Sequence, residues 1–287
     1  MVVTFSVLSD FVQQVGGDLV EVTTLVGPGG DAHTFEPTPE DGKALVNAKI
    51  IVENGLEFET WLEDLYTASG STATRIVASQ GIETLAAEEH AGEEHADEEA
   101  HAEGEEHGHG EFDPHVWHNV NNAIAMVETI RAGLSAADPA NAAIYQANAD
   151  RYTAELQALN TEIEQQIATL PAERRKLVTT HDTFGYFAKR YGFEVVGTAL
   201  ASISTESGDP SAAELADLIT QIKAIGVPAI FAENVSNSTI METVAREAGV
   251  KLAPTLYTDA LGEPGSEGEN YIAMMRYNVA TIVTALQ

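Results

Sequence analysis

Residues 140–170 read ANAAIYQANADRYTAELQALNTEIEQQIATL, with neither Pro nor Gly inside the run. That pattern predicts one uninterrupted helix over Ala140–Leu170, well beyond the ~10–14 residues of an ordinary globular helix. On both sides of it, strand-like runs alternate with helical ones. Upstream, Val2–Leu8, Val20–Val26, Lys49–Glu53 and Arg75–Val77 interleave with helical stretches at Asp10–Val15, Thr38–Ala48 and Glu57–Ala68. Thr38 and Pro39 suit the N-cap and first position of the second of these. A further helix, Asn119–Leu134, stops before Asp138-Pro139. Downstream, strands at Lys176–Thr180, Glu194–Thr198, Ala229–Glu233 and Lys251–Pro254 alternate with helices at Thr183–Tyr191, Pro210–Ile225, Ser238–Ala248 and Glu267–Leu286. Such spacing indicates βαβ units and parallel sheets. The predicted fold is therefore α/β: two βα lobes with parallel sheets, residues 1–137 and 171–287, joined by one long rigid α-helix over 138–170. A cleft between two lobes is where ligands commonly bind. The bland alternative, one buried helix of a single domain, fits the length and the alternation less well.

Composition narrows the partners. A formal net charge of −31 repels polyanions and argues against nucleic-acid binding. Much of the charge lies in one run, Glu88–Glu111, which holds eleven acids, no base and almost nothing apolar. A segment of this kind cannot offset its ordering entropy by burial. Its histidines, His90, His95, His101, His107 and His109, sit among carboxylates as weak, auxiliary donors for a divalent metal. Immediately after it comes Asp113-Pro114-His115-Val116-Trp117-His118. There is no Cys, so disulfides, thiolate sites and a cysteine nucleophile are ruled out. No apolar run is long enough to span a bilayer. The strand-like opening Met1-Val2-Val3-Thr4-Phe5 has no basic n-region, so export would imply a leader already removed.

Outside the acidic run the histidines are His33, His115, His118 and His181. His33 ends a turn-rich loop after the second strand, and His181 follows the strand Lys176–Thr180. In open α/β sheets the ligand crevice lies beyond the carboxyl ends of strands, which is where these two fall. Asp259, after Lys251–Pro254, occupies an equivalent place. A single histidine at a strand end is more often structural than a ligand; the combination is harder to dismiss. Three imidazoles and one carboxylate make a tetrahedral N/O set that suits zinc. His115 and His118 compete for the third imidazole, and spacing does not choose between them.

Several stretches carry a family resemblance. Gly27-Pro28-Gly29-Gly30-Asp31-Ala32-His33-Thr34-Phe35-Glu36-Pro37, Asn54-Gly55-Leu56-Glu57-Phe58-Glu59-Thr60-Trp61-Leu62, Asp113-Pro114-His115-Val116-Trp117, Thr180-His181-Asp182-Thr183-Phe184-Gly185-Tyr186-Phe187 and Leu256-Tyr257-Thr258-Asp259-Ala260-Leu261 together resemble the metal-specific solute-binding proteins of bacterial ABC importers. The match covers nearly the whole chain. It implies one metal between two lobes held by His33, His115, His181 and Asp259, with His118 a neighbour. Manganese-specific members tend to carry a carboxylate in the motif where His181 stands, and the acidic His-rich insertion is similar to zinc-binding members of Gram-negative periplasms. Both features lean toward Zn2+. Some zinc members carry a Glu before the first histidine; here it is Ala32, which removes a carboxylate alternative from that loop.

The resemblance thus implies a periplasmic monomer that captures Zn2+ with high affinity and delivers it to a membrane permease, with a periplasmic zinc donor as a further partner. It implies neither an enzyme nor a membrane-embedded protein. Two alternatives remain: a zinc-dependent hydrolase or lyase, since three imidazoles on zinc is also a catalytic arrangement, and a manganese-specific member of the same family. Catalytic zinc needs an open position for water, whereas four protein ligands close the shell, and no His-Glu-x-x-His or Gly-x-Ser-x-Gly motif is present. Imidazoles must be neutral to bind metal, so affinity is expected to fall below about pH 6.5. Two minor features read as structural: the loop Ser202–Glu206 as an ordinary helix entry near the cleft, and Trp61 and Trp117 as core or cleft wall.

Overall fold

The computed structural model describes residues 1–87, 111–200, 204–205 and 210–287. The long helix is present as α5, Ala142–Ile167, entered through a 3-10 turn at Pro139–Asn141. Asp138 sets that entry: its Oδ2 accepts from Asn141 Nδ2 at 2.7 Å and from Tyr145 OH at 3.0 Å. Along α5, Tyr145, Ala149, Tyr152, Leu156, Leu159, Ile163 and Ile167 are buried. They recur every three or four residues, one stripe of a 3.6-residue period. The helix packs on α1 (Ser6–Gly16), α4 (Val120–Ala137) and α9 (Tyr271–Leu286).

In the N-terminal lobe, β1 (Val2–Phe5), β2 (Thr23–Val26), β3 (Ile50–Glu53) and β4 (Thr74–Val77) form a parallel sheet in the order β2-β1-β3-β4. Its central strands, VVTF and IIVE, are mainly apolar and buried on both faces. The helices α2 (Pro39–Asn47) and α3 (Leu62–Ser69) cover one side. The C-terminal lobe has two parallel pairs, β5 (Lys176–Thr179) with β6 (Glu194–Thr198), and β7 (Ala229–Ile230) with β8 (Lys251–Leu252). Phe231 N donates to Val178 O at 2.9 Å and ties the pairs together. The order β6-β5-β7-β8 repeats that of the first lobe. The helices α6 (Gly185–Tyr191), α7 (Ala212–Ile225) and α8 (Thr239–Ala248) complete it. The two-lobe α/β architecture with parallel sheets is the one expected from the alternation.

One apolar cluster runs from Phe5 and Phe11 through Tyr152 and Leu156 on α5 to Met274 and Ile282 on α9, and so belongs to both lobes. Separating the lobes widely would expose part of it, at about 25 cal/mol per Å2 of apolar surface.

Several elements are shorter than their patterns, for identifiable reasons. The run Glu57–Ala68 becomes helical only at Leu62, because Gly55, Leu56 and Glu57 all take positive φ of 82°, 57° and 59°. The buried Glu59 carboxylate holds that shape, accepting from Asn54 N at 2.7 Å, Gly55 N at 3.1 Å and Thr4 Oγ1 at 2.6 Å. A carboxylate that captures backbone N–H groups locally competes with helix formation. Burial pushes Glu59 up to about 7 against these bonds. The run Ala229–Glu233 is a strand only at Ala229–Ile230, and pairing resumes as a single bridge between Glu233 and Leu256. Residues 183–184 stay outside α6, in the turn that follows His181. The acidic run is closed at its base, where Ala87 N donates to Glu111 O at 3.1 Å and Asp113 N to Leu85 O at 2.9 Å.

Candidate metal centre

The loops that leave the carboxyl ends of the strands carry four donors to one point. His33 lies in the loop between β2 and α2, where its backbone N donates to Asp31 Oδ1 at 2.9 Å. His115 enters the 3-10 turn Val116–His118, and Asp113 Oδ1 accepts both its backbone N at 2.9 Å and its Nδ1 at 2.8 Å. That bond leaves the proton on Nδ1 and turns the Nε2 lone pair toward the cluster. Asn54 Nδ2 donates to Pro114 O at 2.9 Å and fixes the same segment from β3.

His181 stands two residues past β5, wrapped around the buried carboxylate of Glu233. Glu233 Oε1 accepts from Thr180 N at 2.7 Å and His181 N at 3.0 Å, while Oε2 contacts His181 Nδ1. Asp259 follows β8 from the other side, with Thr183 Oγ1 donating to its Oδ1 at 3.3 Å.

His33 Nε2 and His115 Nε2 are 3.2 Å apart. Asp259 Oδ2 lies 3.5 Å from His33 Nε2 and 3.1 Å from His181 Nε2, and its Oδ1 is 3.7 Å from His115 Nε2. All four side chains are buried, and one ligand atom from each lies within 4.8 Å of the others. A tetrahedral zinc with bonds of about 2.0–2.1 Å has donors roughly 3.3 Å apart, close to most of these separations. Two imidazole nitrogens facing one another can share one proton, whereas a cation satisfies both. Asp259 Oδ2 accepts no well-formed hydrogen bond among the described residues. A buried acceptor so placed among three imidazoles fits a bound ion. The cluster is capable of coordinating a divalent metal ion.

The electrostatics are uneven. Burial holds His115 down to about 3, so it is neutral across the physiological range. Burial pushes the Asp113 carboxyl up to about 7. For His181, burial would lower the pKa, but the Glu233 and Asp259 carboxylates outweigh it and hold the imidazole well above its usual range. Asp259 is the counterpart: burial would raise it, and His181 and His115 hold it well below the carboxylate range. Without metal, a proton on His181 stands between two carboxylates.

His118 does not join the cluster. It is wholly buried, its ring tilted at 32° over Phe184 with centroids 4.8 Å apart, and neither ring nitrogen has a hydrogen-bond partner among the described residues. His90, His95, His101, His107 and His109 lie outside the described residues, as does Glu206. From the loop before α7, Thr205 Oγ1 donates to Asp31 Oδ2 at 2.5 Å, beside His33. The orienting carboxylates Asp113 and Glu233 escaped the reading of the sequence. The signal for Glu233 was an acid closing an otherwise apolar run, Ala229–Glu233.

With this geometry in hand, known proteins supply the lineage. The sequence matches the family described as zinc-uptake complex component A, periplasmic (ZnuA), over residues 1–285. The chain belongs to this family. Among its relatives is the manganese-binding lipoprotein MntA of Halalkalibacterium halodurans, 35% identical over 286 residues, covering 100% of this chain and 88% of that protein. Another is the manganese ABC transporter substrate-binding lipoprotein PsaA of Streptococcus pneumoniae, 31% identical over 293 residues with the same two coverages. Of solved structures, the periplasmic zinc-binding protein TroA of Treponema pallidum superposes with a TM-score of 0.86 at 30% identity, covering 99% of this chain and 98% of that one. Membership makes the chain a periplasmic metal-binding component of an ABC importer, a carrier and not a catalyst. Among the described residues no helix is long and apolar enough to cross a membrane.

Proposed function

We propose that the chain captures Zn2+ through His33, His115, His181 and Asp259 and delivers it to a membrane permease. The observation that carries this is the donor set, three imidazoles and one carboxylate converging in a buried space. Nitrogen-rich sets favour zinc over manganese, which prefers oxygen. TroA, described as zinc-binding, supports the reading. The manganese-binding names of MntA and PsaA favour the second reading, a manganese carrier. Any N/O site holds zinc above manganese, so rank alone does not separate the two. The absolute hold on Mn2+ does.

Competition titrations against chromophoric chelators are expected to give zinc an advantage on the order of 10³-fold, with Mn2+ held only weakly. Tight binding of Mn2+ together with manganese in the protein taken from the periplasm would favour the second reading. His181→Glu should narrow the gap between the metals without reversing it. Unchanged relative affinities in that variant would remove His181 from the coordination sphere.

Release follows from the same division. With 1–137 and 171–287 as lobes and 138–170 as the linking helix, a small tilt imposed by the permease breaks the tetrahedron while the shared core stays closed. The histidines of 88–111, His90, His95, His101, His107 and His109, serve as weaker auxiliary donors that concentrate zinc near the cleft. Deleting 88–111 should lower the zinc bound per chain and slow loading, while the tight site stays within about twofold of its affinity, because its four donors all lie outside that segment. Equal loading rates with and without the segment would reduce it to a solvated spacer.

A further inference from the structure

The chain has two tryptophans, and each donates its indole N–H to the same kind of acceptor. Trp61 Nε1 donates to Ala32 O at 2.8 Å, and Trp117 Nε1 donates to Thr258 O at 3.0 Å. Ala32 and Thr258 are the residues immediately before His33 and Asp259. A carbonyl oxygen shares one rigid plane with the N and Cα of the next residue. Holding that oxygen therefore fixes the plane from which the metal-facing side chain departs. For His33 the plane is held at both ends, since its N–H is bound to Asp31 Oδ1.

The two contacts differ in reach. Trp61 acts within the N-terminal lobe, its ring packed on Phe35 with centroids 4.8 Å apart. Trp117 belongs to the turn that carries His115, and Thr258 to the loop that carries Asp259, so its bond crosses between the lobes. Trp117 is wholly buried among Phe5 and Phe58, at 5.0 Å each, and His115, at 5.5 Å. Its own carbonyl accepts from Tyr271 OH at 2.6 Å, at the start of α9. From Thr258 the chain of contacts continues, with Thr258 Oγ1 donating to Glu233 Oε2 at 3.4 Å, the carboxylate beside His181. One side chain thus connects the segments of three of the four donors, and its bonds do not involve the ion.

We infer that Trp61 and Trp117 are positioning residues of the metal centre: Trp61 aims His33, and Trp117 holds His115 and Asp259 in register across the lobes. The empty site is thereby kept near its loaded geometry, and metal leaves slowly. The inference rests on the ligand set proposed above.

The test removes only the N–H. In W61F and W117F backgrounds, the remaining tryptophan is replaced by β-(3-benzothienyl)alanine, which has sulfur where indole has N–H, or by 5-fluorotryptophan, which keeps the donor. Chelator-driven release of Zn2+ is followed by stopped flow, and Co2+ is used as a probe of coordination through its visible d–d bands. Loss of the donor at 117 should speed release roughly three- to tenfold, the range of one net hydrogen bond. It should also perturb the Co2+ bands, and 5-fluorotryptophan should restore both. Loss at 61 should perturb the Co2+ bands with a smaller change in release. If the benzothienyl proteins release metal at the 5-fluorotryptophan rate with an unchanged Co2+ spectrum, whatever their Tm, the tryptophans are packing alone and the inference falls. Asp259→Ala in the two-tryptophan protein is the control. If that variant keeps full affinity, the ligand set is what fails.

Discussion

Asp259→Ala is expected to weaken zinc binding by roughly 10²- to 10³-fold. Four-ligand zinc sites bind with apparent free energies of about 10–16 kcal/mol, so one ligand in four is worth ~2.5–4 kcal/mol. Asp259 should stand at the upper end of that range. It is the only carboxylate among the four donors, and it lies within 3.7 Å of the Nε2 of all three histidines. Without it a doubly charged ion would sit in a buried space faced by neutral rings alone, with its charge uncompensated. Asp259→Asn keeps the shape and removes the charge, and it should lose nearly as much. Chelator competition measures both, and a loss below tenfold in each would take Asp259 out of the coordination sphere. The metal-free protein should respond as well. Asp259 has a folded pKa well below its unfolded value, so it contributes stability above the unfolded pKa that is lost as pH falls. The Tm difference between the parent protein and Asp259→Ala should therefore be larger at pH 7 than at pH 3.

The fold was readable because its deciding features are periodic. An unbroken 3.6-residue pattern over Ala140–Leu170 and short apolar runs bounded by turn residues are local properties, and they survive as α5 and the two parallel sheets. Boundaries failed where a tertiary partner captured the backbone. Glu57–Phe58 has helical neighbours in sequence, but Glu59 ties Asn54 and Gly55 into a left-handed turn against Thr4, fifty-five residues away. For the metal centre, the strand-end positions of His33, His181 and Asp259 followed from topology. The choice between His115 and His118 did not, because three residues at a helix entry point both ways on spacing alone. In the folded chain Asp113 orients His115, while His118 packs on Phe184. Glu233 and Thr258 escaped for a different reason. Their roles come from contacts across the fold, and the only local sign of either is the acid that closes the apolar run Ala229–Glu233.

Glu233→Gln should produce the second-largest effect, and its dependence on pH is the informative part. In the parent protein, Glu233 and Asp259 hold the His181 proton at pH values where a free imidazole has lost it. Metal must displace that proton, so zinc affinity should already be falling by about tenfold per pH unit at neutral pH, higher than the 6.5 of an unperturbed histidine suggests. Binding at pH 7 should release a proton, measurable by calorimetry in buffers of different ionisation enthalpy. In Glu233→Gln the neutral amide no longer supports imidazolium, and burial then pulls the pKa of His181 down. The amide also gives up the carboxylate that makes the imidazole a stronger donor, a change that typically costs 10- to 100-fold in metal affinity. The variant should therefore bind zinc roughly 10- to 100-fold more weakly in alkaline solution, with little proton release and a flatter pH profile. As pH falls, the parent protein loses affinity faster than the variant, and the gap between them should close. The metal-free folds should show the same linkage with opposite sign. A histidine whose folded pKa is raised contributes stability below its unfolded pKa and loses it as pH rises, so Glu233→Gln should lower the apo Tm most in mild acid. If parent and variant keep a constant ratio of affinities from pH 5 to 8, Glu233 only shapes the loop around His181 and does not govern its proton.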